Sequence, residues 1–501
     1  MELAWSSIVL LTLVIILIYV YGTWPFSLWS QHGLTGPTPL PFIGNAWTIA
    51  TKGFFNATLE WGQKYGKTYR IYLMREPMLI TNDLDILKEV FVKDFNNFSF
   101  RAPDIPLLPY PVDLGVSLVG GDQWKRLRNI MNPSFSSCKL KMMDCFVKRC
   151  CQNLITSIDE SVRQGKPLRV KELFGAYTLD VIAGTGLGLE TNSQAEDDNT
   201  FLNNAKAVLG LSSLVTLPAV LASAFPFLVP ALKWLGCSVL PDKETRFVVS
   251  TIQKLVEDRR NHSKKTSPDL MQLMLNAEAS GAETNNNLHE KSLSTDEIVS
   301  QGITFFVAGY DTTSISLQFL FYLLATNPPV QEKLYRAIVD EIGDEKEASY
   351  ENVKDIPYLD CCYREALRLF PPLPLIARKA SEERTIHGVK IPAGSSVGTS
   401  IYSLMKDEHY FPNPHVFRPE RFDKKNQDRI PKLLSDIVFG VGPRQCIGKR
   451  LALYEAKMAV VSVLRHFRFV KIKETPETIR LAADTMCTSD KPILIGCQRR
   501  H

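Results

Sequence analysis

The sequence has no paired Cys-x-x-Cys units, no block of basic residues, no internal repeat and no Gly-x-Gly-x-x-Gly in a strand–turn–helix frame. The first absence excludes a zinc ribbon or finger. The ten cysteines are scattered, two pairs of them adjacent, and form no small disulfide framework. They read as buried small hydrophobes in a reducing compartment. Without a basic block, and with 58 Lys and Arg against 53 Asp and Glu, the net charge of +5 argues against nucleic acid as a partner. The missing glycine fingerprint argues against a nicotinamide or flavin site within this chain. What remains is a globular composition, 45% hydrophobic and 22% charged over 501 residues, with ample length for a large core.

One more absence is local. From Leu3 to Thr51 there is no Asp, Glu, Lys or Arg. Within this stretch, residues 3–22 form an apolar run long enough for one bilayer crossing, roughly 20 residues. No small-x-small cleavage pattern follows, so the segment reads as an uncleaved transmembrane signal anchor. Lys52, Lys64, Lys67, Arg70 and Arg75 outnumber Glu60 and Glu76 beyond it, which predicts a cytoplasmic body. The glycosylation sequons at Asn56, Asn97 and Asn261 are then expected to be unused.

Residues 33–45, GLTGPTPLPFIGN, read as a stiff Pro/Gly-rich hinge, and residues 46–501 as one catalytic domain. A β-hairpin is expected over 67–81. Helices are expected over 122–164, 173–185, 243–260, 295–326, 329–343, 358–370 and 449–466, with strands near 376–402 and at the C-terminal end. The fold class is mainly α with a small β portion. The apolar run 208–236 contains Pro218, Pro226 and Pro230, which disfavour a straight span and suggest short helices dipping into a membrane face. The polar stretch 261–297 reads as a surface connection.

The chemistry sits in FGVGPRQCIGKR, residues 439–450. A thiolate is a soft, strong iron ligand, and on haem iron it pushes electron density toward the metal and favours O–O cleavage. Gly442 and Gly448 suit a loop lying close to a flat group. Nearby N–H groups and the next helix start would stabilise the sulfur's charge. Phe439, Gly442, Arg444, Cys446 and Gly448 fit FxxGxRxCxG, and here the chain resembles the cytochrome P-450 family of haem-thiolate monooxygenases. The resemblance extends over nearly the whole chain. GPTPLPFIGN, GKPLRVKELFGAYTLDVI and AGYDTTS look most like the family-three drug and steroid oxidases.

That resemblance implies a triangular helical prism and haem b (iron protoporphyrin IX) with Cys446 as axial ligand. Arg444 is then expected on a haem propionate and Phe439 over the sulfur. Glu365 and Arg368 lie three apart on a helix and share a face. With Arg421 of the PERF segment they are expected to form a buried structural network. In FFVAGYDTTS, Ala308 and Gly309 are expected where a helix distortion makes room for O2, with Thr312 and Asp311 as the catalytic hydroxyl and acid. Thr313 is expected to face the helix backbone. Trp124 and Arg128, one turn apart, are expected to donate to a propionate, with Arg378 and Arg101 as further candidates.

The implied reaction inserts one atom of O2 into a lipophilic substrate, a steroid, fatty acid or xenobiotic. NADPH acts only through a reductase flavoprotein in the same endoplasmic reticulum membrane, aided by a cytochrome b-type donor. Lys125, Arg126, Lys449 and Arg450 are the expected docking patch. Pocket walls are expected at Phe305, Phe306, Val307, residues 105–118, 208–236 and 373–376, and Thr485 to Cys487. Two other functions share the cysteine loop: a haem-thiolate isomerase or dehydratase of peroxides without reductase, and a haem-based sensor. Asp311-Thr312 favours the monooxygenase over the first.

Overall fold

The computed structural model describes residues 2–30, 32–194, 200–209, 216–261, 269–282, 292–343 and 347–500. The sequence expectations at 195–199, 210–215, 262–268, 283–291 and 344–346 therefore lie outside the described residues. One helix dominates the core. The long helix Thr295–Thr326 is buried along most of its length and packs against the flanking helix Val170–Leu187, itself buried on nearly every face. Helices this apolar all round belong in the middle of a large domain. Ser294 starts the long helix with a capping box to Glu297.

Around this pair lie Asp144–Arg163, Asp242–Asn261, Pro328–Ile342, Pro357–Leu369 and the loop helix Lys449–Leu464. The expected helix 122–164 breaks into Gly121–Met131, Ser137–Met142 and Asp144–Arg163. A 3-10 turn at Asn132–Phe135 carries Pro133, which cannot donate to the preceding turn. The expected surface connection 261–297 holds a helix, Leu270–Ala282, that buries Leu270, Met271, Met274 and Leu275. Its apolar spacing was masked by polar neighbours on both sides.

The strands are β1 Thr68–Leu73, β2 Glu76–Thr81, β3 Phe100–Arg101, β4 Leu168–Arg169, β5 Leu375–Lys379, β6 Arg384–Ile386, β7 Val389–Ile391, β8 Ser396–Ser400, β9 Phe467–Val470 and β10 Leu494–Arg499. They form a five-stranded sheet in the order β1-β2-β8-β5-β3, a three-stranded sheet β4-β10-β9 and a pair β6-β7. β1 and β2 are the expected hairpin. The β3–β5 register sets Arg101 directly opposite Arg378.

The apolar N-terminal run is one helix, Glu2–Thr23, with its large side chains exposed. Residues 33–45, expected as a stiff hinge, are tied to the body. Gly44 bridges to Leu73, Arg70 N–H donates to the Thr35 carbonyl, and Asn45 accepts from Tyr72 N–H at 2.8 Å. The connection is thus an edge of the sheet. Leu217–Ala224 and Pro226–Trp234 are two short helices bent 117° apart, and Leu217, Phe227 and Trp234 are exposed. Phe225 at their joint stacks on Tyr21 of the N-terminal helix, ring centroids 5.7 Å apart. The Arg75 guanidinium sits 3.8 Å above the Tyr21 ring and donates to the Ala224 carbonyl, as does the Tyr21 hydroxyl.

Candidate active site

Cys446 lies in the turn before the loop helix. Its N–H donates to the Phe439 carbonyl at 2.7 Å, which closes the loop. Gly440 and Gly442 have φ of 77° and 74°, a region that favours glycine. At Gly442 a Cβ would stand 2.0 Å from the Phe91 carbonyl oxygen, so the loop is pressed onto that backbone. Gly448 has an ordinary φ of −84°, and a Cβ there would meet only Phe135, at 3.9 Å. Its expected role in backbone geometry is therefore not needed by the protein's own packing, and Gly440, which sequence reasoning passed over, carries that role. Phe439 is half-buried, with the Lys449 ammonium 5.5 Å from its ring centre.

The Cys446 side chain borders open space, yet protein atoms surround it deeply. Both hold if it lines a recess. Burial pushes its thiol pKa up; the Gly448 N–H and the charges of Arg101, Arg128 and Lys449 work the other way.

Four arginines converge beside it. Arg101 and Arg378 are cross-strand neighbours, Arg444 belongs to the cysteine loop, and Arg128 lies on Gly121–Met131. Burial lowers the pKa of all four, and among the four each except Arg101 is lowered further by one or more of the others. The values fall to about 9 for Arg378 and about 8 for Arg444. Among the described residues none of the four has a carboxylate within salt-bridge distance, and buried Arg378 Nε has no acceptor. Arg378 and Arg444 are buried, while Arg128 is part-exposed and the Arg101 side chain borders open space although protein atoms surround it; like charges crowded in this way are stabilised by an anion. Trp124 is buried beneath the Arg444 guanidinium, 4.6 Å from its centre. Arg444 itself donates to the carbonyls of Ser99, Val116 and Val119, so its guanidinium holds protein backbone rather than standing free.

The long helix supplies the opposite side. Ala308 is exposed and Gly309, Asp311 and Thr312 are part-exposed, although the turns before and after are buried. Open space therefore adjoins this stretch inside the core. Thr312 Oγ1 donates to the Ala308 carbonyl at 2.6 Å. The helix is continuous here. A Cβ at Gly309 would lie 2.8 Å from Ile182 Cδ1, so that glycine serves close helix–helix packing. Thr178 Oγ1 of the flanking helix donates to the Tyr310 carbonyl at 3.0 Å, a contact no local pattern announced. Burial raises the Asp311 carboxyl to about 6, with the Lys171 charge lowering it and Asp484 raising it. Thr313 Oγ1 is buried and does not bond its own helix; it faces Glu455, whose burial raises its carboxyl to about 8 while the Thr313 hydroxyl works the other way. Phe305 and Phe306 pack on Phe135 and Phe201.

Behind the site, Glu365 is fully buried. Oε2 accepts from Arg368 Nε at 2.7 Å. Oε1 accepts from Arg368 Nη2 at 2.9 Å, Arg418 N–H at 3.0 Å and Arg421 Nε at 3.2 Å. Arg368 and Arg421 also donate to the Met405 and Asn413 carbonyls. The network ties the helix Pro357–Leu369 to the segment 405–421.

A family model described as "Cytochrome P450" matches residues 34–495. The chain belongs to the cytochrome P450 family. Among its relatives are cytochrome P450 3A7 of Homo sapiens, 36% identical over all of this chain and 98% of that protein, and cytochrome P450 3A9 of Rattus norvegicus, 35% identical over 97% and 95%. Cytochrome P450 3A30 of Fundulus heteroclitus is 37% identical over 97% and 96%. This cytochrome P450 is a monooxygenase with a haem-thiolate cofactor; it uses O2 and takes electrons from a redox partner. Its donor set fits that cofactor: a soft sulfur in a recess, and a cluster of guanidiniums suited to carboxylates such as the two propionates.

Three of the four basic residues expected at the docking face are paired within the chain. Arg126 bonds Glu297 and the Ser292 carbonyl, Lys449 bonds Asp436 at 2.6 Å, and Lys125 bonds Asp122 at 3.3 Å. Arg450 is exposed and has no ion pair among the described residues.

Proposed function

We propose that this cytochrome P450 is anchored in the endoplasmic reticulum membrane by Glu2–Thr23, with its body on the cytoplasmic side, and oxidises steroids, fatty acids or xenobiotics. An NADPH-dependent flavoprotein reductase supplies the electrons, with a cytochrome b-type donor in support. Cys446 would hold the haem iron through its thiolate, and the haem would supply O2 activation there. The cluster of Arg101, Arg128, Arg378 and Arg444 around Cys446, with no carboxylate partner among the described residues, carries this reading. Arg128 and Arg378, whose guanidiniums are the less engaged, would hold the propionates together with Trp124. Arg444 contributes charge while it braces the backbone.

On the other side, Thr312 presents its lone pairs toward the open space while its proton rests on the Ala308 carbonyl. Asp311, titrating near pH 6, is suited to give and regain a proton under neutral conditions. The Glu365–Arg368–Arg421 network holds the segment before the cysteine loop in register. Pocket walls named from apolar segments imply a lipophilic substrate.

The test is the carbon-monoxide difference spectrum of the reduced protein in detergent. A strongly red-shifted Soret band that disappears in Cys446→Ser is expected. A band at the ordinary position, or one that survives the substitution, assigns the ligand elsewhere.

A further inference from the structure

Gln301 is fully buried in the long helix, two turns before Ala308. Its carboxamide is spent on one loop. Nε2 donates to the Leu114 carbonyl at 3.0 Å, and Oε1 accepts from the Val116 N–H at 2.8 Å. This mimics the two bonds of a strand pair. The neighbouring Ser300 Oγ, also fully buried, donates to the Val112 carbonyl at 3.2 Å. One turn on, a Cβ at Gly115 would stand 2.4 Å from Thr304 Oγ1, so the loop backbone rests directly on the helix. The other side of the loop is held from the cysteine segment, because Arg444 donates to the Val116 and Val119 carbonyls. Val116 is therefore gripped at its N–H by the long helix and at its carbonyl by the cysteine loop.

Helix geometry places this grip relative to the chemistry. Gln301, Ala308 and Thr312 are spaced seven and four apart and share one face. The rise puts the latch about 10 Å from Ala308 along the axis. The loop is thereby fixed about two helical turns from the exposed stretch at Ala308.

The geometry points to Gln301 as a positioning residue that latches residues 112–116 as a rigid wall of the substrate chamber and so sets which carbon of a substrate is presented. This rests on the haem-thiolate reading above. Only a side chain with a donor and an acceptor at that reach satisfies both backbone groups. Leucine would leave a buried N–H and a buried carbonyl unpaired, and the loop would open to solvate them.

The experiment uses the full chain, with Gln301→Leu and Gln301→Glu compared with the parent. Glutamate keeps the acceptor for Val116 and loses the donor for Leu114. The readouts are the carbon-monoxide band, amide hydrogen exchange over 112–119, and product profiles from the steroids and fatty acids that the parent oxidises with NADPH and reductase. Expected in Gln301→Leu are an unchanged band, exchange faster by roughly tenfold for two lost hydrogen bonds, and new oxidation positions with KM moving more than kcat. Gln301→Glu is expected to fall between. An intact band with parental exchange and products overturns the proposal. Loss of the band in both variants makes Gln301 a folding residue and overturns it as well. If Gln301→Leu alone fails to fold, Gln301→Glu decides by the same criteria. A parent without the red-shifted band would instead sink the haem-thiolate reading itself.

Discussion

Glu365→Gln separates charge from hydrogen bonding at the buried network. Placed with its oxygen at the Oε1 position, glutamine still accepts from Arg368 Nη2, Arg418 N–H and Arg421 Nε. It loses the bond from Arg368 Nε at Oε2, and it loses the negative charge that, among the described residues, alone pairs with two guanidiniums that are 0% and 5% exposed. Removing one partner of a buried ion pair costs about 3–5 kcal/mol, because the other is left uncompensated. For 501 residues the unfolding entropy is roughly 1 kcal/mol per degree. The melting temperature should therefore drop by about 3–5 °C. The red-shifted carbon-monoxide band per mole of protein should drop with it, since the segment carried by Arg421 leads to the cysteine loop. A variant that melts with the parent and holds full haem would refute the reasoning: three retained hydrogen bonds would then suffice and the charge would be idle.

Gly442→Ala should abolish the band at Cys446, because the new Cβ meets the Phe91 carbonyl at 2.0 Å and φ is 74°; Gly448→Ala, with only a 3.9 Å neighbour, should fold with the parental melting temperature. Asp311 gives a pH signature. Its carboxyl goes from 3.8 to about 6 on folding, so the folded state binds more protons in that window and stability falls as pH rises through it. Asp311→Asn removes this penalty and should be more stable than the parent at pH 7.5 by about 1–2 kcal/mol, after discounting its partial exposure, and about equal to it near pH 4. Its turnover should drop at least about tenfold, as for loss of a proton donor, in NADPH-driven assays; parental turnover would remove Asp311 from the mechanism.

How far the sequence could be read depended on how local each interaction is. Glu365 and Arg368 are one helical turn apart, so their pairing was legible, and the PERF segment named Arg421. The long helix was legible to the residue, since Ser294 and Glu297 mark its start and Asn327-Pro328 its end. The four arginines were named one by one as anion-binding candidates, but the way they meet was not legible. Arg101 and Arg378 meet only because a two-residue strand pairs in one register, and nothing local fixes that register. Gln301 was equally silent, because its partners are backbone groups of a distant loop. Gly309 has a reason that no local pattern shows: its neighbour is Ile182 on another helix, and only packing shows why a Cβ is excluded.

The contact between Tyr21, Phe225 and Arg75 makes the N-terminal helix more than a tether. Tyr21 is in its last turn, and Phe225 joins the two short helices whose apolar faces are exposed. With the helix spanning a bilayer, as proposed, a change in its tilt acts through this joint like a tiller. A thicker bilayer would set the helix more upright, and the joint would carry that rotation to the helix pair without any ligand. The lipid composition around the enzyme thereby becomes an input to the shape of its outer surface, read through one stacked pair of rings.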